Sequence, residues 1–132
     1  MTGATALPHR APAPSPRRLL IADAVPSGAS GAVLLAAAPV LDGALGMPAW
    51  GLAVLGAAFL VYTAALVLLT RAGAPRPAVA VVAIGNLAWG VVSAAVLVAG
   101  VLDLTAAGVA VGILQTAFVV VIGALQLRSV RG

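Results

Sequence analysis

The sequence predicts an all-α membrane protein, a transmembrane four-helix bundle. Hydrophobic residues make up 63% of the 132 residues and charged residues only 8%, whereas about a quarter of the residues in a soluble domain are charged. Four apolar stretches are each long enough to cross a hydrocarbon core of ~30 Å at ~1.5 Å per helical residue. They do not alternate apolar and polar residues, as the strands of a transmembrane β-barrel would.

Residues 1–18 are predicted to be a disordered cytoplasmic leader. Their first part is rich in Pro and Ala and shows no apolar period. The single histidine of the chain, His9, has no partner ligands at metal-binding spacing, and the chain contains no cysteine. No metal site and no cofactor are therefore predicted.

The first span is predicted at 19–41, directly after Arg17 and Arg18. A signal peptide has the same order of basic and apolar parts, but its apolar region is only ~7 to 15 residues long. The longer stretch favours a retained membrane helix over a cleaved signal. The Gly- and Pro-containing segment 42–48 predicts a tight connection to an antiparallel neighbour.

The remaining spans are predicted at 49–69, 79–102 and 106–127. Trp50 marks the membrane interface at the start of the second span. The loop 71–77 contains two prolines, which interrupt a helix. Asp103 lies in the short turn before the last span, and 128–132 are predicted to form a cytoplasmic tail.

The charges outside the spans predict the orientation. All seven basic residues are arginines, and they lie in the leader, the central loop and the C-terminal tail, whereas the other two loops contain Asp42 and Asp103. Since short loops rich in arginine stay in the cytoplasm, both termini are predicted to be cytoplasmic, in the inner (plasma) membrane of a bacterium. The arginines are a topology signal, so no nucleic-acid partner is predicted.

The two halves of the chain are similar, which favours two tandem helical hairpins. Val-Leu-Asp recurs at 40–42 and 101–103, and Ala-Phe recurs at 58–59 and 117–118. The spacing of Asp23, Ser27 and Ser30 in the first span recurs in the third span, where the corresponding residues are Asn86, Gly90 and Ser93. Halves of two spans each would be related by an axis along the membrane normal. Biased composition is the alternative explanation.

Polar side chains inside the spans are the candidates for a functional site. Asp23 is the one acidic or basic residue within a span, and a carboxylate is costly inside a membrane. Counted from the cytoplasmic ends, Asp23, Tyr62 and Asn86 lie at similar depths. We therefore predict a contact between Asp23 and Asn86, and a small cavity open to the cytoplasm. Its predicted lining is Asp23, Ser27, Tyr62, Asn86 and Trp89.

Two roles are open for Asp23. It is either a carboxylate near a helix N-terminus, paired with Arg18 or Asn86, or a proton or substrate site. The sequence offers no acid/base pair, metal-ligand cluster or nucleophile with its base. No catalytic residue and no enzymatic activity are therefore predicted.

The last span has a stripe of small and polar residues on one face. The members of this stripe are Gly108, Gly112, Gln115, Val119, Gly123 and Gln126. It starts with a GxxxG pair, which allows helices to approach closely. Since a glutamine that faces lipid lacks partners, we predict that this face packs against other helices. Contact with a ligand is the alternative.

Several of these residues together resemble a group of small bacterial four-span integral membrane proteins. The resemblance is carried by Asp23-Ala24 with Ser27-Gly28 and Ser30-Gly31, by Asn86-Leu87-Ala88-Trp89 with Ser93, and by Leu104-Thr105 with Gly108, Gln115 and Leu125-Gln126. It covers most of the chain after the leader and implies the four-span fold. No activity is attached to that group, so the resemblance transfers no catalytic residue.

The sequence thus predicts a non-enzymatic membrane protein that binds a small ligand or a partner within the bilayer. The expected partners are the lipid bilayer itself and either a second copy of the chain or another membrane protein. The alternative function is a small transporter or a proton-coupled subunit that uses Asp23.

Overall fold

The computed structural model describes residues 14–131, with Gly3 as a single further residue. Most of the predicted leader therefore lies outside the described residues. The helices are α1 (Pro16–Ala36), α2 (Ala38–Leu45), α3 (Ala49–Arg71), α4 (Arg76–Ala99) and α5 (Ala106–Arg131). The predicted all-α fold is confirmed. Within the described residues four helices, α1, α3, α4 and α5, are long and apolar enough to cross a membrane, so the chain is a multi-pass membrane protein.

The helices pack as two hairpins. In the first hairpin α1 packs along α3, and in the second α4 packs along α5. The consecutive helices α3 and α4 barely touch, whereas α1 and α2 both contact α5. The tandem-hairpin arrangement is therefore as predicted, and its origin by duplication stays a prediction.

Antiparallel packing brings the arginines of the described residues to one end of the bundle, here called the arginine end. They lie in the first turns of α1 and α4 and the last turns of α3 and α5: Arg17, Arg18, Arg71, Arg76, Arg128 and Arg131. Asp42 of α2 and Asp103 before α5 lie at the opposite end, here called the aspartate end. The two ends thus carry opposite charge.

The first hairpin is held by direct contact between helix backbones. A Cβ atom placed on Gly56 of α3 would lie 2.6 Å from the backbone nitrogen of Leu35 and 2.7 Å from the carbonyl oxygen of Gly31. Any residue with a side chain at position 56 would push α1 and α3 apart. Glycine is needed here because it lets two membrane helices approach closely.

The first span is shorter than predicted. α1 ends at Ala36 and the chain continues after Ala37 as α2, so the prediction of one helix over 19–41 and of a turn over 42–48 is wrong. Pro39 explains the break, because within a continuous helix it could not donate to the carbonyl of Leu35 and would clash with it. α2 ends at Leu45 and is followed by Gly46, whose φ of 77° is readily adopted by glycine.

The other helix bounds shift by a few residues. α4 starts at Arg76 instead of residue 79, because Pro77 stands in its first turn, where a missing N–H breaks no helical hydrogen bond. It ends at Ala99, and the following residue, Gly100, has a φ of 63°.

The helices at both ends of the chain extend into the segments predicted to be a leader and a tail. α1 starts at Pro16, with the Ser15 hydroxyl oxygen accepting a hydrogen bond from the Arg18 backbone nitrogen at 3.3 Å. α5 continues to Arg131, so the predicted tail is helical over its described part. This extension places the last turn of α5 level with the arginines of the other helices.

Candidate functional site

Each of the four spanning helices contributes one polar side chain to a buried group towards the arginine end. This group, here called the polar cluster, consists of Asp23 of α1, Tyr62 of α3, Asn86 of α4 and Gln126 of α5. Asp23 is 1% exposed, Asn86 6% and Gln126 0%. The polar cluster is therefore part of the protein interior.

Asp23 is the acceptor at the centre of the polar cluster. Its Oδ2 atom accepts hydrogen bonds from the Tyr62 hydroxyl at 2.6 Å, from Asn86 Nδ2 at 2.9 Å and from Gln126 Nε2 at 3.0 Å. Its Oδ1 atom accepts one from the Ser27 hydroxyl, one turn along α1, at 3.2 Å. The predicted Asp23–Asn86 contact is present, and all four donors are uncharged side chains.

Further hydrogen bonds link the donors to one another. The Tyr62 hydroxyl lies 3.1 Å from Asn86 Oδ1, and Asn86 Nδ2 also donates to Gln126 Oε1 at 2.9 Å. As a result, no buried side-chain nitrogen or oxygen of the described residues lacks a hydrogen-bond partner. Since Asp23 and Tyr62 belong to the first hairpin and Asn86 and Gln126 to the second, these bonds tie the two hairpins together.

Gln126 was placed on the packing stripe by the sequence but not among the residues of the polar layer. Because α5 extends to Arg131, Gln126 lies five residues inside the last arginine, and Asp23 lies five residues inside Arg18. Only the full length of α5 shows that Gln126 lies deep enough in the bundle to reach Asp23.

Towards the arginine end, where a small cavity was predicted, apolar side chains pack against the polar cluster. An apolar group lies next to the polar cluster on its arginine side: Leu20, Ala24, Leu66, Ala74 and Val79, with Tyr62 packed against it. Leu66 follows Tyr62 by one turn, and Leu20 precedes Asp23 by one turn. These side chains separate the polar cluster from the arginine end.

The main cavity lies instead in the other half of the bundle, between the two hairpins, and is here called the inter-hairpin cavity. Its volume is about 640 Å³, and its wall is apolar except for a few side chains. Representative lining residues from α1, α3, α4 and α5 are Ser30, Phe59, Trp89, Ser93, Val96 and Gln115.

The inter-hairpin cavity is closed at the aspartate end and open towards the bilayer on one side. At the aspartate end Thr105 donates from its backbone nitrogen to the carbonyl of Leu45 at 3.2 Å and from its hydroxyl to that of Ala44 at 2.6 Å. These bonds join α2 to the start of α5. Since α3 and α4 both line the cavity but barely touch, the opening lies between these two helices.

A smaller cavity of about 290 Å³ lies on the side of α1 and α5. It shares Ser30, Phe59, Val111 and Gln115 with the inter-hairpin cavity, so the two spaces are neighbours. Of the five predicted lining residues, Ser27 lines this smaller cavity and Trp89 lines the larger one. Asp23, Tyr62 and Asn86 line neither of them.

Trp89 belongs to a second hydrogen-bonded group, on the wall of the inter-hairpin cavity. Its Nε1 atom donates to Gln115 Oε1 at 3.1 Å, and Gln115 Nε2 donates to the Ser93 hydroxyl oxygen at 3.0 Å. The half-buried Gln115 is thus satisfied within the second hairpin, and it also lines both cavities.

The glycines of the α5 stripe pack against other helices. Gly108 abuts the carbonyl oxygen of Leu45 in α2, and a Cβ on Gly123 would lie 3.1 Å from the carbonyl oxygen of Ala83 in α4. A Cβ on Gly112 would lie 2.9 Å from Leu97 Cδ2, the mobile end of a side chain. The α5 stripe therefore packs against other helices, against backbone at Gly108 and Gly123 and against a side-chain end at Gly112.

No family model, no curated protein and no solved structure matches this chain. The resemblance to bacterial four-span proteins accordingly stays a prediction. Among the described residues no three histidine or acidic side chains come together to hold a metal ion. The candidate functional site therefore consists of the polar cluster and the inter-hairpin cavity.

Proposed function

We propose that this protein binds a small apolar molecule in the inter-hairpin cavity, within the membrane, and catalyses no reaction. The observation that carries the proposal is the cavity itself. Its volume of about 640 Å³ falls within the ~300 to 1,000 Å³ typical of small-molecule sites. Its wall is also typical of such sites, which are mainly apolar with a few polar groups.

The way the hairpins are joined supports a preformed site. The polar cluster joins them towards the arginine end and the Thr105 hydrogen bonds join them at the aspartate end. Between these two joints the hairpins lie apart. The wall atoms facing this space lack protein contacts on that side, so a bound ligand supplies dispersion contacts that the protein alone cannot make.

The alternative function is a small transporter or a proton-coupled subunit that uses Asp23. In its favour, Asp23 is an intramembrane carboxylate whose hydrogen-bond donors are all neutral. Against it, the polar cluster and the apolar residues beside it separate the cavity from the arginine end. Transport would require this packing to open, whereas ligand binding requires no rearrangement. A protein partner, either a second copy or another membrane protein, would add to ligand binding without replacing it.

Fluorescence of Trp89 tests ligand binding directly. The chain has two tryptophans, so the Trp50→Phe variant leaves Trp89 on the cavity wall as the sole reporter. In detergent micelles, 1-bromododecane should quench Trp89 with a saturable component, because the heavy atom enters a site of fixed capacity. Val96→Phe in this background should reduce the saturable component, since Val96 lines the cavity.

Val98→Phe is the matched control. Val98 is on the same helix and is 90% exposed, so the same substitution adds a ring to the lipid-facing surface and should leave the quenching unchanged. Quenching that rises linearly with bromododecane, or that responds equally to both substitutions, would show that Trp89 senses only the surrounding micelle and would refute the proposal.

A further inference from the structure

We infer that the ligand of the inter-hairpin cavity is an uncharged lipophile that presents a carbonyl oxygen to the hydroxyl groups of Ser30 and Ser93. This inference rests on the proposed function and narrows it to one chemical class. The two serines lie on different hairpins, Ser30 on α1 and Ser93 on α4, and line the same cavity.

Hydrophobicity alone cannot make a site inside a membrane selective. Lipid chains are as apolar as leucine, so no hydrophobic driving force distinguishes a ligand from its surroundings in the bilayer. Any hydrocarbon chain can fill the apolar part of the wall through the opening between α3 and α4. The polar groups of the wall must therefore determine which molecule is preferred.

The wall of the inter-hairpin cavity, as far as the described residues form it, contains no arginine, aspartate, glutamate or lysine side chain. A charged group on the ligand would be desolvated there without a counter-charge, at a cost of several kcal/mol or more. The ligand is therefore neutral.

The hydroxyl groups of Ser30 and Ser93 are the hydrogen-bond donors that the cavity wall offers a ligand. Gln115 is occupied, because Oε1 accepts from Trp89 and Nε2 donates to Ser93. Since the Ser93 oxygen accepts that bond, its own hydroxyl hydrogen is available to donate to another acceptor. Ser30 supplies a second hydroxyl from the opposite hairpin. A carbonyl oxygen, with two lone pairs and no hydrogen, is the group that complements two donors.

The two serines lie at the same distance from the ends of their helices. Ser30 lies six residues inside the end of α1 at Ala36, and Ser93 lies six residues inside the end of α4 at Ala99, about 9 Å along each helix axis. Both donors thus lie within the hydrocarbon layer. The carbonyl is either a ketone-type group of a membrane-dissolved molecule or an ester of an acylglycerol that enters deeply.

Displacement of a photoreactive alkyl diazirine from the purified protein tests the inference. Three competitors are compared: dodecane, methyl decyl ketone and dioctanoylglycerol. The ketone or the ester should displace the diazirine at a concentration roughly tenfold lower than dodecane, which is the effect of about two neutral hydrogen bonds. The more effective of the two identifies the source of the carbonyl.

The variants Ser30→Ala and Ser93→Ala should each reduce the advantage of the carbonyl competitor over dodecane, and the double variant should abolish it. Ser129→Ala is the matched control, because this hydroxyl donates to the backbone of Gln126, outside the cavity. Equal displacement by all three competitors, unaffected by the serines, would overturn the inference but not the proposed function. Diazirine labelling that Val96→Phe fails to reduce would instead refute the proposed function, and the inference with it.

Discussion

At the scale of single residues, Asp23 accepts the most side-chain hydrogen bonds among the described residues. An ionised carboxylate offers about four acceptor sites and no donor. Here four donors from α1, α3, α4 and α5 point at it, namely Ser27, Tyr62, Asn86 and Gln126. An apolar replacement would leave several buried N–H and O–H groups without an acceptor, in a medium where water is absent.

We predict that Asp23→Ala lowers the free energy of unfolding by about 1 to 3 kcal/mol, because buried donors lose their acceptor. The measurement is the midpoint of thermal unfolding in detergent. Asp103→Ala is the control, because Asp103 is exposed at the aspartate end and its loss should change the stability by less than about 0.5 kcal/mol. Equal stability of the two variants would show that the polar cluster contributes little to holding the hairpins together.

At the scale of helices, the packing depends on where backbone meets backbone. α1 and α3 cross at Gly31 and Gly56, where no side chain fits. Along α5, Gly123 meets a carbonyl of α4, whereas Gly112 meets only the end of Leu97. A leucine end can rotate away and a backbone cannot, so glycines in similar sequence patterns differ in how much they matter.

Gly56→Ala should therefore destabilise the bundle by about 1 to 3 kcal/mol, the usual cost of overpacking. Gly112→Ala, which adds the same methyl group against the Leu97 side chain, should cost clearly less. Thermal unfolding of both variants in the same detergent provides the comparison. If Gly112→Ala proved the more damaging change, the close approach of α1 to α3 would not be the tighter contact.

The junction between α2 and α5 gives a prediction at the same scale. The Thr105 hydroxyl donates to the carbonyl of Ala44 and accepts from the backbone nitrogen of Gly108 at 3.0 Å. Thr105→Val removes both bonds and should cost about 1 kcal/mol, as for loss of a helix N-cap. Thr105→Ser keeps the hydroxyl and should retain most of the stability. Indistinguishable unfolding midpoints for the two variants would mean that this hydroxyl does not join the hairpins.

At the scale of the whole molecule, two hairpins are fastened at both ends and separated between them. The arginine end carries six arginines of the described residues, and the aspartate end carries Asp42 and Asp103. Since basic short loops stay in the cytoplasm, this asymmetry predicts the orientation of the entire bundle, with the inter-hairpin cavity in the outer half of the membrane.

Cysteine labelling tests this orientation, because the chain contains no cysteine of its own. In intact cells a membrane-impermeant maleimide should label Asp103→Cys and should label Ala72→Cys only after the cells are broken open. Both positions are exposed, so accessibility within the protein is matched. Labelling of Ala72→Cys in intact cells would show that the orientation is the reverse of the predicted one.

Much of the fold follows from properties that the sequence displays locally. The hydropathy and length of the apolar stretches predict the four spans. The backbone preferences of Pro77 and Gly100 determine where α4 begins and ends. Helical period and depth were also enough to predict that Asp23 contacts Asn86, because a polar group on the small-residue face of a membrane helix has few places to find a partner.

Other features were decided by the tertiary structure. Gln126 joins the polar cluster because α5 runs to Arg131, and its long side chain reaches Asp23 from a neighbouring hairpin. The cavity lies towards the aspartate end because the hairpins meet at the polar cluster and at Thr105 but diverge between them. The apolar pattern of each helix is satisfied equally by lipid or by protein. Which faces touch, and where they part, therefore depends on close backbone contacts and hydrogen bonds between distant parts of the chain.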